Sequence, residues 1–158
     1  MKNNKIKPIT ICVDFDGTCV THEFPFIGKD IGAEPVLKEL VENGHKLILF
    51  TMRSDKKDVH SEHHFIHSEA GKYLTDAVNW FKARNIPLYG IQTNPTQSTW
   101  TTSPKAYCEL YIDDAGLGIP LIYGDFDGYG NGKYFHRPHV DWKKVRNLLV
   151  LQGILPNE

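Results

Sequence analysis

The sequence predicts an α/β fold, a doubly wound three-layer sandwich built on a mostly parallel sheet. Three observations lead there. Short, β-branched apolar runs recur along the chain; segments with apolar residues at helical spacing separate them; and polar groups, mostly carboxylates, stand where the apolar runs end. Strands buried on both faces read as near-continuous apolar runs, and their alternation with amphipathic helices calls for a parallel sheet with crossover helices.

The elements follow in order. Ile9-Thr10-Ile11-Cys12-Val13 is a buried-strand run that stops at Asp14. From Glu34 to Asn43, Val36, Leu37, Leu40 and Val41 share one helical face, and Gly44 suits the left-handed position just past a helix end. Lys46-Leu47-Ile48-Leu49-Phe50 is a second strand, closing at Thr51. Lys72 to Arg84 repeats the helical pattern through Leu74, Ala77, Val78 and Phe81, and Asn85 and Pro87 stop it. Leu88-Tyr89-Gly90-Ile91 is a weaker third strand, and Leu110-Tyr111-Ile112 a fourth that ends at Asp113. Ser103-Pro104 reads as a helix start ahead of Lys105. Asp141 can cap a last helix whose apolar face is Trp142, Val145, Leu148 and Leu149. No repeat or linker interrupts the order, so residues 1–158 are expected to form one domain.

Composition narrows the function. Eighteen basic and nineteen acidic residues leave a formal net charge of -1, so no general nucleic-acid-binding surface is expected. Cys12, Cys19 and Cys108 form no CxxC pair and are odd in number, which fits reduced thiols in a cytoplasmic protein. The sequence has neither a signal-peptide core nor a long apolar span, so no membrane partner is expected.

Ligands of open α/β sheets gather at the carboxyl ends of the strands. Val13-Asp14-Phe15-Asp16-Gly17-Thr18 follows the first strand directly. In an extended segment Asp14 and Asp16 would point the same way, and Gly17 would let the backbone approach a ligand. Asp16-Gly17 alone also reads as a turn, which leaves Asp14 at a buried strand end unexplained. Asp113 and Asp114 stand at another strand end, where adjacent carboxylates repel and lose solvation. With Asp14 they form a hard oxygen set that suits Mg²⁺ better than zinc. Thr51 and Lys105 are ordinary in isolation, but at this edge a hydroxyl and an ammonium suit phosphoryl oxygens.

The order Asp-x-Asp-Gly-Thr, Thr, Lys, Asp-Asp resembles the haloacid dehalogenase (HAD) superfamily of phosphohydrolases, whose four motifs follow this order on a Rossmann-like sheet. The likeness runs from Asp14 to Asp114, with Phe50-Thr51-Met52-Arg53 and Tyr111-Ile112-Asp113-Asp114 as its other points. Too few residues separate Thr18 from Glu34, or Ile91 from Ser103, for a cap domain, so the small capless HAD hydrolases are the nearest likeness. The resemblance implies Asp14 as nucleophile, Asp16 as acid/base, and Thr51 and Lys105 as holders of the phosphoryl group. It implies a substrate site lined by Phe15, Gly17, Thr18, Met52 and Arg53. It also implies Mg²⁺ bound by Asp14, the backbone carbonyl of Asp16, and Asp113 or Asp114. The expected substrate is a small-molecule or terminal phosphomonoester, and a homo-oligomer lending a lid is compatible with a capless site.

Other features weigh less. His60, His63, His64 and His67 share a helical face, yet the surrounding Ser and Glu suit a solvated segment, and Asp55 to Gly71 is expected to act as a partial lid. Gly124-Asp125-Phe126-Asp127-Gly128 echoes the first motif, but Tyr129 and His136 fall where a calcium loop needs ligands. Arg137 is either a substrate-facing cation or part of a surface turn. A phosphoacceptor signalling domain would carry its acidic pair on the first strand and the phosphorylated Asp on a middle one, and here the middle strands end in Thr51 and near Gln92. A non-catalytic metal- or phosphate-binding module is the other alternative.

Overall fold

Four parallel strands in the order β3-β2-β1-β4 organise the computed structural model, which describes residues 6–55, 71–123 and 137–157. They are β1 (Thr10–Val13), β2 (Lys46–Leu49), β3 (Gly90–Ile91) and β4 (Leu110–Ile112). Helix α1 (Ala33–Glu42) connects β1 to β2, and α2 (Tyr73–Ala83) connects β2 to β3. An antiparallel pair, β5 (Leu121–Ile122) with β6 (His139–Val140), leads into α3 (Trp142–Leu151). The α/β class and its parallel sheet are as expected. No described helix is long and apolar enough to cross a membrane. The histidines at 60–67 and the 124–136 loop lie outside the described residues, as does most of the expected lid.

The helix ends behave as their residues dictate. At the close of α1, Gly44 takes φ +88°, its amide donating to Val41 O and that of His45 to Leu40 O. This double bond pattern satisfies carbonyls the helix leaves open, and a residue without Cβ enters it freely. Asn85 (φ 56°) closes α2 the same way, through Asn85 N to Lys82 O and Ile86 N to Phe81 O. Asp141 caps α3, its side chain accepting from the Lys144 amide at 3.1 Å.

The layers depart from the expectation. One core joins Ile11, Val13, Leu47 and Leu49 to buried residues of all three helices, among them Leu37, Phe81 and Leu149. The opposite strand positions, Cys12 and Ile48, pack instead with Ala106, Phe50, Tyr89 and Cys108. Among the described residues the second face is therefore covered by the connection before β4 and not by a helix. That connection holds a single 3-10 turn (Gln97–Thr99), and no helix starts at Ser103-Pro104. Buried Gln97 organises it: Nε2 donates to the carbonyls of Ser103 and Lys105, and Oε1 accepts from the amides of Asn94 and Tyr107. A side chain thus supplies the bonds a helix would have made for itself.

Replacing Asp141 by Ala is expected to destabilise the protein by about 1 kcal/mol in urea unfolding. Lys144→Met should change little, because its ammonium is exposed and 3.6 Å from Asp141 Oδ2.

Candidate functional site

Register assembles the site. Val13 is level with Leu49 on one side and Ile112 on the other, so Asp14, Phe50 and Asp113 are the next residues at one edge. Asp14 N donates to Ile112 O and Phe50 N to Val13 O, which carries the alignment one step past the strands. Beyond Asp14 the chain turns back on itself. The Phe15 carbonyl accepts from the amides of Thr18, Cys19 and Val20, and Gly17 N donates to Val20 O at 2.7 Å.

Asp14, Asp113 and Asp114 converge, each offering a carboxylate oxygen within 4.8 Å of the others. The Thr18 hydroxyl links them, donating to Asp14 Oδ2 at 2.8 Å, with Asp114 Oδ1 3.5 Å away. The same oxygen accepts from the Asp114 amide at 3.0 Å. Burial raises the Asp14 pKa from 3.8 to about 7, opposed by hydrogen bonds from Phe15 and Thr18 and reinforced by the charges of Asp113 and Asp114. The donor set is all oxygen and anionic, which fits a hard divalent cation held by few protein ligands.

Asp16 takes a different partner. The strand ends at Val13 and the chain turns at Phe15, whose carbonyl accepts from three following amides. Both Asp16 oxygens accept from Arg53, Oδ2 from Nε and Oδ1 from Nη2, each at 2.7 Å. Its carboxylate is thus held by Arg53 and is not part of the cluster of Asp14, Asp113 and Asp114. Arg53 is 2% exposed, donates also to the carbonyls of Phe26 and Pro25, and lies 5.1 Å from the Phe15 ring centre and 5.2 Å from that of Phe24.

The expected substrate-binding residues divide accordingly. The Phe15 side chain is in the core against Trp80 and Phe81, and Arg53 is committed to Asp16, so neither side chain lines an open site. Thr18 is buried as the link between carboxylates, whereas Met52 is almost fully exposed. Gly17, at φ +79°, makes room for His22: a Cβ there would lie 2.0 Å from His22 Nε2. Thr51 is at the expected edge, its hydroxyl accepting from Arg53 N at 3.1 Å. Lys105 is exposed, with its ammonium 5.8 Å from the Tyr111 ring centre and no ion pair to the trio. Arg137 is exposed.

Several contacts escaped sequence reasoning. His22 Nε2 is 2.8 Å from Asp114 Oδ2. Gln92 bonds the chain beyond β2 like an extra strand residue, accepting from Thr51 N and donating to the carbonyls of Thr51 and Arg53. Trp142 Nε1 donates to Thr18 O, and Val140 N to Gly17 O, so the last strand and helix brace the Asp14 loop. Only Gln92 left a trace in the pattern, as the residue closing the third strand.

A solved structure of a conserved protein from Bacteroides thetaiotaomicron is 33% identical, with a TM-score of 0.56, over 71% of this chain and 80% of that one. The chain belongs to that protein's family. No family model matches the sequence of this family member, and no curated protein matches it.

Two measurements test the electrostatics. A folded-state pKa raised from 3.8 to about 7 means Asp14 favours folding while protonated. Its contribution is full below about pH 4 and lost as pH rises through about 7. Without divalent cations, the melting temperature of Asp14→Asn minus that of wild type should therefore grow between about pH 4 and pH 8. Arg53→Met should destabilise by about 3 kcal/mol in urea unfolding, and adding Asp16→Asn should restore part of the loss, since the unpaired charge is then gone.

Proposed function

We propose that this protein is a Mg²⁺-dependent phosphatase of the HAD superfamily, a single capless domain over residues 1–158 with a Rossmann-like sheet. It hydrolyses a small-molecule or terminal phosphomonoester in the cytoplasm through an aspartyl-phosphate. The convergence of Asp14, Asp113 and Asp114 at one sheet edge carries this reading. Asp14 and an oxygen from Asp113 or Asp114 would hold Mg²⁺, which when bound offsets the charge of the carboxylates and the phosphoryl group.

The chain's own groups supply the rest. Thr18 holds Asp14 Oδ2, leaving Oδ1 as the oxygen to attack phosphorus in line. Thr51 accepts from Arg53 N, so its hydroxyl proton is available to a phosphoryl oxygen. Lys105 contributes a cation on a flexible stem from beside β4. Asp16 protonates the leaving oxygen and then deprotonates the hydrolytic water, which requires one of its two bonds from Arg53 to open. That closed pair favours a second reading, a metal- or phosphate-binding module without turnover.

With Mg²⁺, the purified protein should hydrolyse p-nitrophenyl phosphate, and Asp14→Asn should lower kcat by at least about a thousandfold with its circular dichroism unchanged. Saturable Mg²⁺ binding without turnover across nucleotides, sugar phosphates, phosphopeptides and nucleic-acid ends would select the module instead.

A further inference from the structure

His22 lies outside every motif that points to phosphate chemistry, yet it is built into the acidic centre. Its Nε2 is 2.8 Å from Asp114 Oδ2, and the two side chains are only 15% and 12% exposed. The loop carrying Asp14 leaves space for the ring, because the missing Cβ of Gly17 would fall 2.0 Å from that same nitrogen. Asp114 is thus held at several points. One carboxylate oxygen meets the imidazole, the other faces Thr18 Oγ1 at 3.5 Å, and the backbone amide donates to that hydroxyl. Thr18 in turn donates to Asp14.

We propose that His22 is a positioning residue of the metal centre, holding Asp114 so that its Oδ1 is turned toward Thr18 and Asp14. With the proton on Nε2, the ring donates to Oδ2 and fixes the rotation of the carboxylate. Asp113 has a local substitute for such a partner, since its Oδ1 accepts from the Ala115 amide at 2.8 Å. Among the described residues, Asp114 has only His22 and Thr18 to set the direction of its carboxylate. Without the imidazole, Asp114 would turn away from two neighbouring anions, and a cation would have to overcome that turn on binding. Outer-shell partners of this kind commonly change metal affinity by about 10- to 100-fold. The inference rests on the metal-binding part of the proposed function and is independent of turnover.

Mn²⁺ binding, followed by electron paramagnetic resonance and by competition with Mg²⁺, tests it directly. His22→Leu should weaken Mn²⁺ binding at least about tenfold. His22→Gln, which keeps an N–H at similar reach, should stay close to wild type. In Asp114→Asn the effect of His22→Leu should largely vanish, because residues acting through one another are not additive. Melting temperatures of the same variants separate lost binding from lost folding. Unchanged affinity in His22→Leu, additive losses, or equal losses in the Leu and Gln variants would overturn the assignment. Nitrogen hyperfine coupling from a directly coordinated imidazole would overturn it too, by making His22 a ligand. If wild type shows no saturable Mn²⁺ signal, the metal-binding reading itself fails, and this inference with it.

Discussion

Parallel, in-register pairing of β1 with both β2 and β4 is the constraint on which the rest depends. Because Val13 is opposite Leu49 and Ile112 together, the residues that follow have no choice of edge. Core burial enforces the pairing. Ile11, Val13, Leu47 and Leu49 all point into the helix-covered core, and a one-residue slip of any strand would turn its members to the other face. The acidic residues are thus brought together against their own repulsion by apolar packing beneath them. Asp14 carries the consequence, since desolvation and two neighbouring carboxylates make its ionisation unfavourable.

The turn after β1 then separates two carboxylates that the sequence places only one residue apart. Phe15 goes into the core at 0% exposure, and its carbonyl gathers three amides, so the chain reverses within a few residues. Asp14 remains level with β4 and meets Thr18. Asp16 is carried to the side of Arg53, whose guanidinium is shared with the carbonyls of Pro25 and Phe26. One short loop therefore presents an anion facing other anions and another neutralised by a buried cation. The brace from Trp142 and Val140 fixes that loop from behind, which gives the C-terminal helix a part in site geometry as well as in the core.

What was legible in the sequence follows from range. Strands, helices and their ends are written in local patterns, and Gly44, Asn85 and Asp141 perform the roles their chemistry suggests. The convergence of Asp14 with Asp113 and Asp114 was legible because strand ends in a parallel sheet share an edge. The partners were not. Asp16 with Arg53, His22 with Asp114 and Gln92 with Thr51 join residues 37, 92 and 41 positions apart, and no periodicity encodes such pairs. The missing helix at Ser103 has the same cause. Ser-Pro is a sound local start signal, but a buried glutamine already satisfies the backbone groups that a helix would need to pair.

The Arg53 pair also limits how the site can work. A guanidinium 2% exposed is costly to leave without acceptors, so any movement of Asp16 must leave it another one. The carbonyls of Pro25, Phe26 and Tyr73 already take part of its donor set, so the 24–27 segment and the start of α2 are both placed to compensate. Phe26 from that segment is 75% exposed, so its ring has little packing to lose if the backbone shifts, whereas the Phe24 ring packs edge-on against Tyr73 at 5.0 Å. The position of the Asp16 carboxylate and that of this segment are therefore coupled through one side chain. The acidic trio is linked instead through Thr18 and through His22, which lies two residues before Phe24. Among the described residues the Asp16–Arg53 pair and the acidic trio thus have different side-chain partners, and the stretch of chain from Asp14 to Ile27 supplies residues to both.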